Sequence, residues 1–184
     1  MFMSNKKLKI FIYLLCTIYI FSIGYFLFTK EYGKSSISFL CLIILFILTK
    51  AYIKNFYVID TPLYVVGNLF VLFSFLIGSC YGMYDVFKPY DSFLHFWSGF
   101  ISLKIGWNIL KYYNTPTLTD KILFFIVIFF FSLGVSGFCE IVEYLLDKFF
   151  NMTTQAGGLK DTMQDMIYAM TGAFLMVIYY IRKK

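Results

Sequence analysis

The amino-acid sequence predicts an all-α integral membrane bundle of six transmembrane helices, with the N- and C-termini both cytoplasmic. Three observations predict it. The chain is 60% hydrophobic and only 14% charged, with a mean hydropathy of +0.77, which excludes an ordinary soluble domain. Apolar stretches of about 20 residues, enough to cross a hydrocarbon core, recur along all 184 residues. Lysine and arginine also fall unevenly on alternate loops. Lys6, Lys7, Lys9, Lys50, Lys54, Lys111, Lys121, Arg182, Lys183 and Lys184 make ten on one side, against five at Lys30, Lys34, Lys88, Lys148 and Lys160. The positive-inside rule places the richer side in the cytoplasm.

The first span covers residues 8–28 and follows a lysine-rich start. Its apolar run is too long for a signal peptide and lacks a small-x-small cleavage site, so it is expected to be retained. The second covers 35–53. Both are poor in small residues and are expected to be peripheral. The third, 62–84, opens on Pro62 and carries Ser74, Gly78 and Gly82 as a small stripe. The fourth, 91–110, runs inward from Asp91, and Lys104 in its inner half can snorkel to the cytoplasmic surface. The fifth covers 121–146 and the sixth 162–181. Little chain remains, so residues 1–184 are expected to form a single integral membrane domain, its last four spans being the functional bundle. Tyrosines at span ends, among them Tyr81, Tyr84, Tyr90 and Tyr180, read as interfacial belts. Asn68 and Asn108 read as interhelical hydrogen-bonders. Cys16, Cys41, Cys80 and Cys139 lie inside apolar spans at no metal or disulfide spacing, and read as small hydrophobes.

Three short motifs hold the sole histidine and most of the intramembrane acid: Asp91-Ser-Phe-Leu-His95, Glu140-Ile-Val-Glu143 and Asp161-Thr-Met-Gln-Asp165. The topology brings all three to the extracytoplasmic ends of their helices. Residues three or four apart share a helix face, so each motif presents its polar pair on one side. Those faces continue as Gly99, Ser102 and Gly106, as Ser136 and Ser132, and as Ala169 and Gly172. Small residues let membrane helices approach closely, so the three faces are expected to meet.

Asp91 and Asp161 could merely complement a helix dipole at an N-terminus. Glu140 and Glu143 sit near a helix C-terminus, where the dipole disfavours them. Five carboxylates in one region must be held apart, partly protonated or neutralised by cations. A metal site of Asp91, His95, Glu140, Glu143 and Asp165 is one expectation; a proton or cation relay and purely structural packing are the others. Oxygen ligands with one imidazole suit a divalent metal ion, Mg²⁺ or Mn²⁺ first, with Zn²⁺ or Fe²⁺ tolerated. A ferritin-like di-iron site is excluded, because it needs two Glu-x-x-His pairs.

Gly134-Val-Ser136-Gly137 has the Gly-x-Ser-Gly form of rhomboid-type intramembrane proteases. There the histidine follows the serine, whereas His95 precedes it, so helix packing is the preferred reading. Arg182 is the single arginine, which excludes phosphatidic-acid-phosphatase chemistry. Want of histidine excludes the multi-histidine membrane hydrolases and desaturases. The +6 net charge lies in loops and termini, which argues against nucleic acid as a partner.

At these motifs the chain resembles the YjdF-like family of predicted bacterial membrane proteins. Tyr90-Asp91-Ser-Phe-Leu-His95-Phe-Trp-Ser-Gly99 is similar to that family's Tyr-Asp-x-x-x-His-Phe-x-x-Gly element. Glu140-Ile-Val-Glu143 is similar to Trp-Glu-x-x-Glu-Trp, with Cys139 and Tyr144 replacing the tryptophans, and Asp161-Thr-Met-Gln-Asp165 to Asp-Thr-x-x-Asp. The likeness covers about residues 60–180. A fainter one to VanZ-type proteins departs at Glu143, where that group has Gln, and at Ala169, where it has Asn. The VanZ resemblance implies envelope work in the cell membrane.

The functional expectation is a metal-dependent hydrolase or transferase facing outward and acting on an amphiphilic, lipid-like envelope substrate. Asp161 is the candidate catalytic carboxylate for proton transfer, and Gly157-Gly158 would loosen the loop before it. The rivals are a small proton or divalent-cation transporter, and an accessory protein held by its polar cluster. Beyond the lipid bilayer and that substrate, the sequence names no partner and sets no oligomeric state.

Overall fold

The computed structural model describes residues 4–113, 121–150, 154–155 and 158–182. Among these the chain is helical and holds no strand. Gly157, Lys183 and Lys184 lie outside the described residues. Five helices are long and apolar enough to cross a membrane. The chain divides into two compact units, residues 1–90 and 91–184.

In the first unit, α1 (Asn5–Phe28) starts where the Ser4 hydroxyl accepts from the Lys7 N–H. It ends where the Thr29 hydroxyl donates to the Tyr25 and Phe26 carbonyls. Lys30 then turns through the left-handed region at φ 62°. Glu31 pairs with Lys34, which with Thr29 holds the Glu31 carboxyl below its ordinary range. α2 (Tyr32–Ile53) runs back. α3 (Thr61–Val71) is capped by Asp60, which accepts from the Leu63 N–H at 3.1 Å, and Pro62 occupies its first turn, where a missing N–H costs nothing.

α1 and α2 build the core of this unit with the third span. Leu15, Tyr19, Phe26, Cys41, Leu45, Leu72, Leu76 and Cys80 pack together. A second cluster joins Leu8, Tyr52 and Tyr64, with the Tyr52 and Tyr64 rings stacked at 4.5 Å and the Tyr64 hydroxyl 2.8 Å from that of Thr49. Small residues take part in this packing as well: Ser22, Ser35, Ser38 and Cys41 are buried, and the Ser35 hydroxyl donates to the Ile23 carbonyl of α1 at 3.4 Å.

The third span departs from expectation. After Val71 the helix widens into a π-helical stretch, Leu72–Cys80, and stops there rather than reaching residue 84. Gly82, at φ 75°, makes the turn into a short helix α4 (Met83–Val86). The ring of Tyr84 lies against Gly78, where a Cβ would overlap it. Gly78 and Gly82 thus serve the turn rather than a helix–helix stripe. Tyr90 is buried, and its hydroxyl donates to the Phe73 carbonyl at 2.8 Å.

The second unit contains α5 (Pro89–Tyr112, whose first two residues belong to the first unit), α6 (Lys121–Phe150) and α7 (Leu159–Arg182). As expected, the small-residue faces meet. A Cβ on Gly99 of α5 would overlap the Ala169 carbonyl of α7, and one on Gly172 would overlap the Phe96 carbonyl. The Ser102 and Ser132 hydroxyls are 2.6 Å apart, joining α5 to α6. At the far end Trp107 stacks on Tyr180 at 4.0 Å and meets Phe124 edge-on at 5.0 Å, beside a core of Leu103, Phe124, Ile128, Ala173 and Val177. α5 is therefore antiparallel to α6, parallel to α7, and matched to both along its length.

Several finer expectations are refined. Tyr84 and Tyr180, half-buried, and Tyr90, buried, also pack within the protein. Asn68 donates to the Tyr64 carbonyl in its own helix rather than across helices, and Asn108 accepts from Lys104 one turn earlier. Cys41 and Cys80 are buried, as small hydrophobes should be, but Cys139 is exposed.

Candidate metal centre

The site is built where three helix ends meet. α5 supplies Asp91 and His95 from its first turns, and α6 supplies Glu140 and Glu143 from near its end. α7 brings Asp161 and Asp165 in its first two turns. The three faces point inward because Gly99, Ala169 and Gly172 let α5 and α7 touch backbone to backbone just beneath.

His95 is the hub. Its Nε2 is 3.6 Å from Asp91 Oδ1 and 4.0 Å from Asp165 Oδ2, and its Nδ1 is 3.7 Å from Glu140 Oε1. Each separation exceeds a good hydrogen bond. Ligand atoms of Asp91, His95 and Asp165 lie within 4.8 Å of one another, and so do those of His95, Glu140 and Glu143. One cation could span either group. Asp161 is outside both groups, but its charge is felt by Asp91, Glu143 and Asp165. All six residues singled out in the sequence thus fall in one unit and within electrostatic reach of one another.

Burial grades the cluster. Asp165 and Glu140 are 3% and 5% exposed, whereas the Asp91 side chain is 35% exposed, so the cluster opens on the Asp91 side. Glu140 Oε1 is buried with no hydrogen-bond partner among the described residues. A buried carboxylate oxygen left so is costly, which distinguishes this cluster from an ordinary set of surface acids.

Three residues that sequence reasoning missed tie the loop above the site. Asp147 accepts from the Thr154 N–H and hydroxyl at 2.7 and 2.6 Å and from the Gln155 N–H at 2.9 Å. The Gln155 amide donates to the Glu140 carbonyl at 3.3 Å and to the Thr162 hydroxyl at 2.9 Å, joining α6 to α7. An Asp near a helix end followed by Thr and Gln is too common a pattern to have flagged them. In the Gly-x-Ser-Gly element, Ser136 is buried without a hydrogen-bond partner among the described residues and Gly134 faces open space, so Gly134 does not mediate close packing.

Helix composition, burial pattern and site together define a multi-pass membrane protein with a polar cluster at one end of a three-helix unit. The chain belongs to the family described as "Predicted membrane protein (DUF2238)", whose model matches residues 10–184. This accords with the YjdF-like resemblance. It is also similar to a curated protein of Thermotoga maritima described as "Uncharacterized protein", 31% identical over 116 residues. That match takes in 59% of this chain and spans 56% of the relative's length. No solved structure matches.

Proposed function

We propose that this protein is a metal-dependent membrane hydrolase or transferase, with its site facing the extracytoplasmic side and acting on an amphiphilic envelope substrate. The observation that carries this reading is the pair of ligand groups sharing His95. Asp91, His95, Glu140, Glu143 and Asp165 would hold one or two divalent ions, Mg²⁺ or Mn²⁺ by their oxygen-rich character, with Zn²⁺ or Fe²⁺ tolerated. A neutral imidazole has a single lone pair, so one ion alone takes His95. A bound ion would activate water and polarise the scissile group. Asp161, in the first turn of α7 and outside both ligand groups, is the carboxylate assigned to proton transfer.

The same reading takes α5 as a sixth span. It falls outside the five most apolar helices because it carries Asp91, His95, Lys104 and Asn108. Yet its 24 residues, about 36 Å of helix, are matched end to end by α6 and α7. Six spans return both termini to the lysine-rich, cytoplasmic side. The aromatic closure of Trp107, Tyr180 and Phe124 at the inner end favours a site open on one side over a transport path.

The test is metal analysis of detergent-purified protein, wild type against His95→Ala and Glu140→Gln. Stoichiometric metal in the wild type, lost in both folded variants, is the expected result. Folded wild type that takes up no Mn²⁺, Mg²⁺ or Zn²⁺ would sink the reading.

A further inference from the structure

We propose that Ser136 and Glu140 hold one water molecule against the Nδ1–H of His95. This water fixes the tautomer in which Nε2 is left free to face Asp91 and Asp165. The seat stands on geometry alone; its value to an ion at Nε2 rests on the metal reading above.

The gap of 3.7 Å between His95 Nδ1 and Glu140 Oε1 is too long for a direct hydrogen bond. A water seated off the line between the two atoms can bridge a gap of this size. Helix register puts a third polar group at that seat. Ser132 bonds the Ser102 hydroxyl and also reaches the Gly99 carbonyl at 3.3 Å. Gly99 is one turn past His95, and Ser136 lies midway between Ser132 and Glu140 on the same face of α6. Ser136 therefore faces α5 between His95 and Gly99.

Both Ser136 Oγ and Glu140 Oε1 are buried and lack a partner among the described residues, with their residues 6% and 5% exposed. Two orphaned oxygens one turn apart are costly if dry. A water there meets three partners, within the two to four that hold buried water. It accepts from His95 Nδ1–H and donates to Glu140, while Ser136 supplies the third contact. The resulting chain, carboxylate to water to Nδ1–H, is a water-extended form of the arrangement that orients metal-ligating histidines. Ser136 is accordingly a positioning residue, because it acts through His95.

His95 is the sole histidine, so ¹⁵N-histidine labelling of the full-length, detergent-purified chain reports on one imidazole. The spectrum is taken with chelator at about pH 9, well above the ordinary imidazole range. The expected wild-type form carries its proton on Nδ1. Ser136→Ala shifts the population toward the Nε2-protonated form, and Ser136→Thr, which keeps a hydroxyl, restores it. A wild type protonated on Nε2, an imidazolium persisting at that pH, or a Ser136→Ala spectrum identical to wild type overturns the proposal.

Melting temperature gives an independent sign. Removing a dry, orphaned hydroxyl raises it, whereas removing one bonded to water lowers it, and a lowering is expected for Ser136→Ala. Ser132→Ala lowers it under either account and calibrates the assay. Zn²⁺ added to the same sample separates the two ideas. If Zn²⁺ leaves the imidazole signals unmoved while the Nδ1–H form holds, the metal reading falls and the water seat stands.

Discussion

At the scale of single residues, the backbone contacts of α5 and α7 decide which substitutions the second unit tolerates. Gly99→Ala places a methyl on the Ala169 carbonyl, and Gly172→Ala one on the Phe96 carbonyl. Neither neighbour is the end of a flexible side chain, so the helices must part, at a cost of about 1–3 kcal/mol. A fall in melting temperature for each, measured in one detergent, is the expected outcome. Gly134, with nothing within 4 Å of a new Cβ, is the contrast. Gly134→Ala gains helix propensity worth about 0.5–1 kcal/mol and should hold or raise the melting temperature. The candidate site residues were legible in the sequence because acid and imidazole inside apolar runs are rare and share helix faces at spacings of three and four. Asp147, Thr154 and Gln155 were not legible, because their pairing depends on how the chain folds back after α6. Asp165→Asn should weaken Mn²⁺ binding and Asp147→Ala should leave it less affected, as isothermal titration would read; equal loss in both would place the cluster's integrity in the loop.

At the scale of elements, helix existence was readable from hydropathy, whereas the fate of the third span was not. Its apolar residues continue through Tyr81, and nothing in that run marks the change of register at Leu72. The physical cause lies elsewhere. Tyr90 takes the Phe73 carbonyl, and the Ser79 hydroxyl donates back to the Ser74 carbonyl, five residues earlier, at 3.3 Å. Tyr90→Phe removes one of these bonds and should cost about 1 kcal/mol. Faster amide exchange confined to 72–80 would confirm the link; unchanged exchange there would break it. Gly82, read in the sequence as part of a small-residue stripe, is the residue that makes the turn. The loop over the site makes a parallel claim. Asp147→Ala strips three donors of their acceptor, so the Thr154 and Gln155 amides should exchange markedly faster while those of α5 do not change.

At the scale of the molecule, multi-pass membrane character was plain from composition, and the family assignment agrees with it. The grouping of helices was not plain. Small residues suggested that the last four spans would gather, yet α1 and α2 take the third into their own core through Tyr19, Leu45, Leu72 and Leu76. At that contact the small residues Ser22, Ser35, Ser38 and Cys41 alternate with large ones, so the stripe is harder to read than the glycines of the later spans. The proposed six-span topology makes a whole-molecule prediction. With α5 as the sixth span, reporters fused at either end should both read as cytoplasmic. A C-terminal reporter active outside the cell would reduce the count to five and reverse the sidedness assigned to the site.

The π-helical stretch has a consequence for the surrounding lipid. Winding more residues into each turn widens a helix and shortens it, so the 20 residues of Thr61–Cys80 deliver less than the roughly 30 Å that an α-helix of that length would. A span short of the hydrocarbon thickness is accommodated by thinning of the bilayer beside it. Headgroups should dip toward this stubby helix, and the protein should settle most readily in thin membranes, with long-chain lipids straining it and short-chain lipids relieving it.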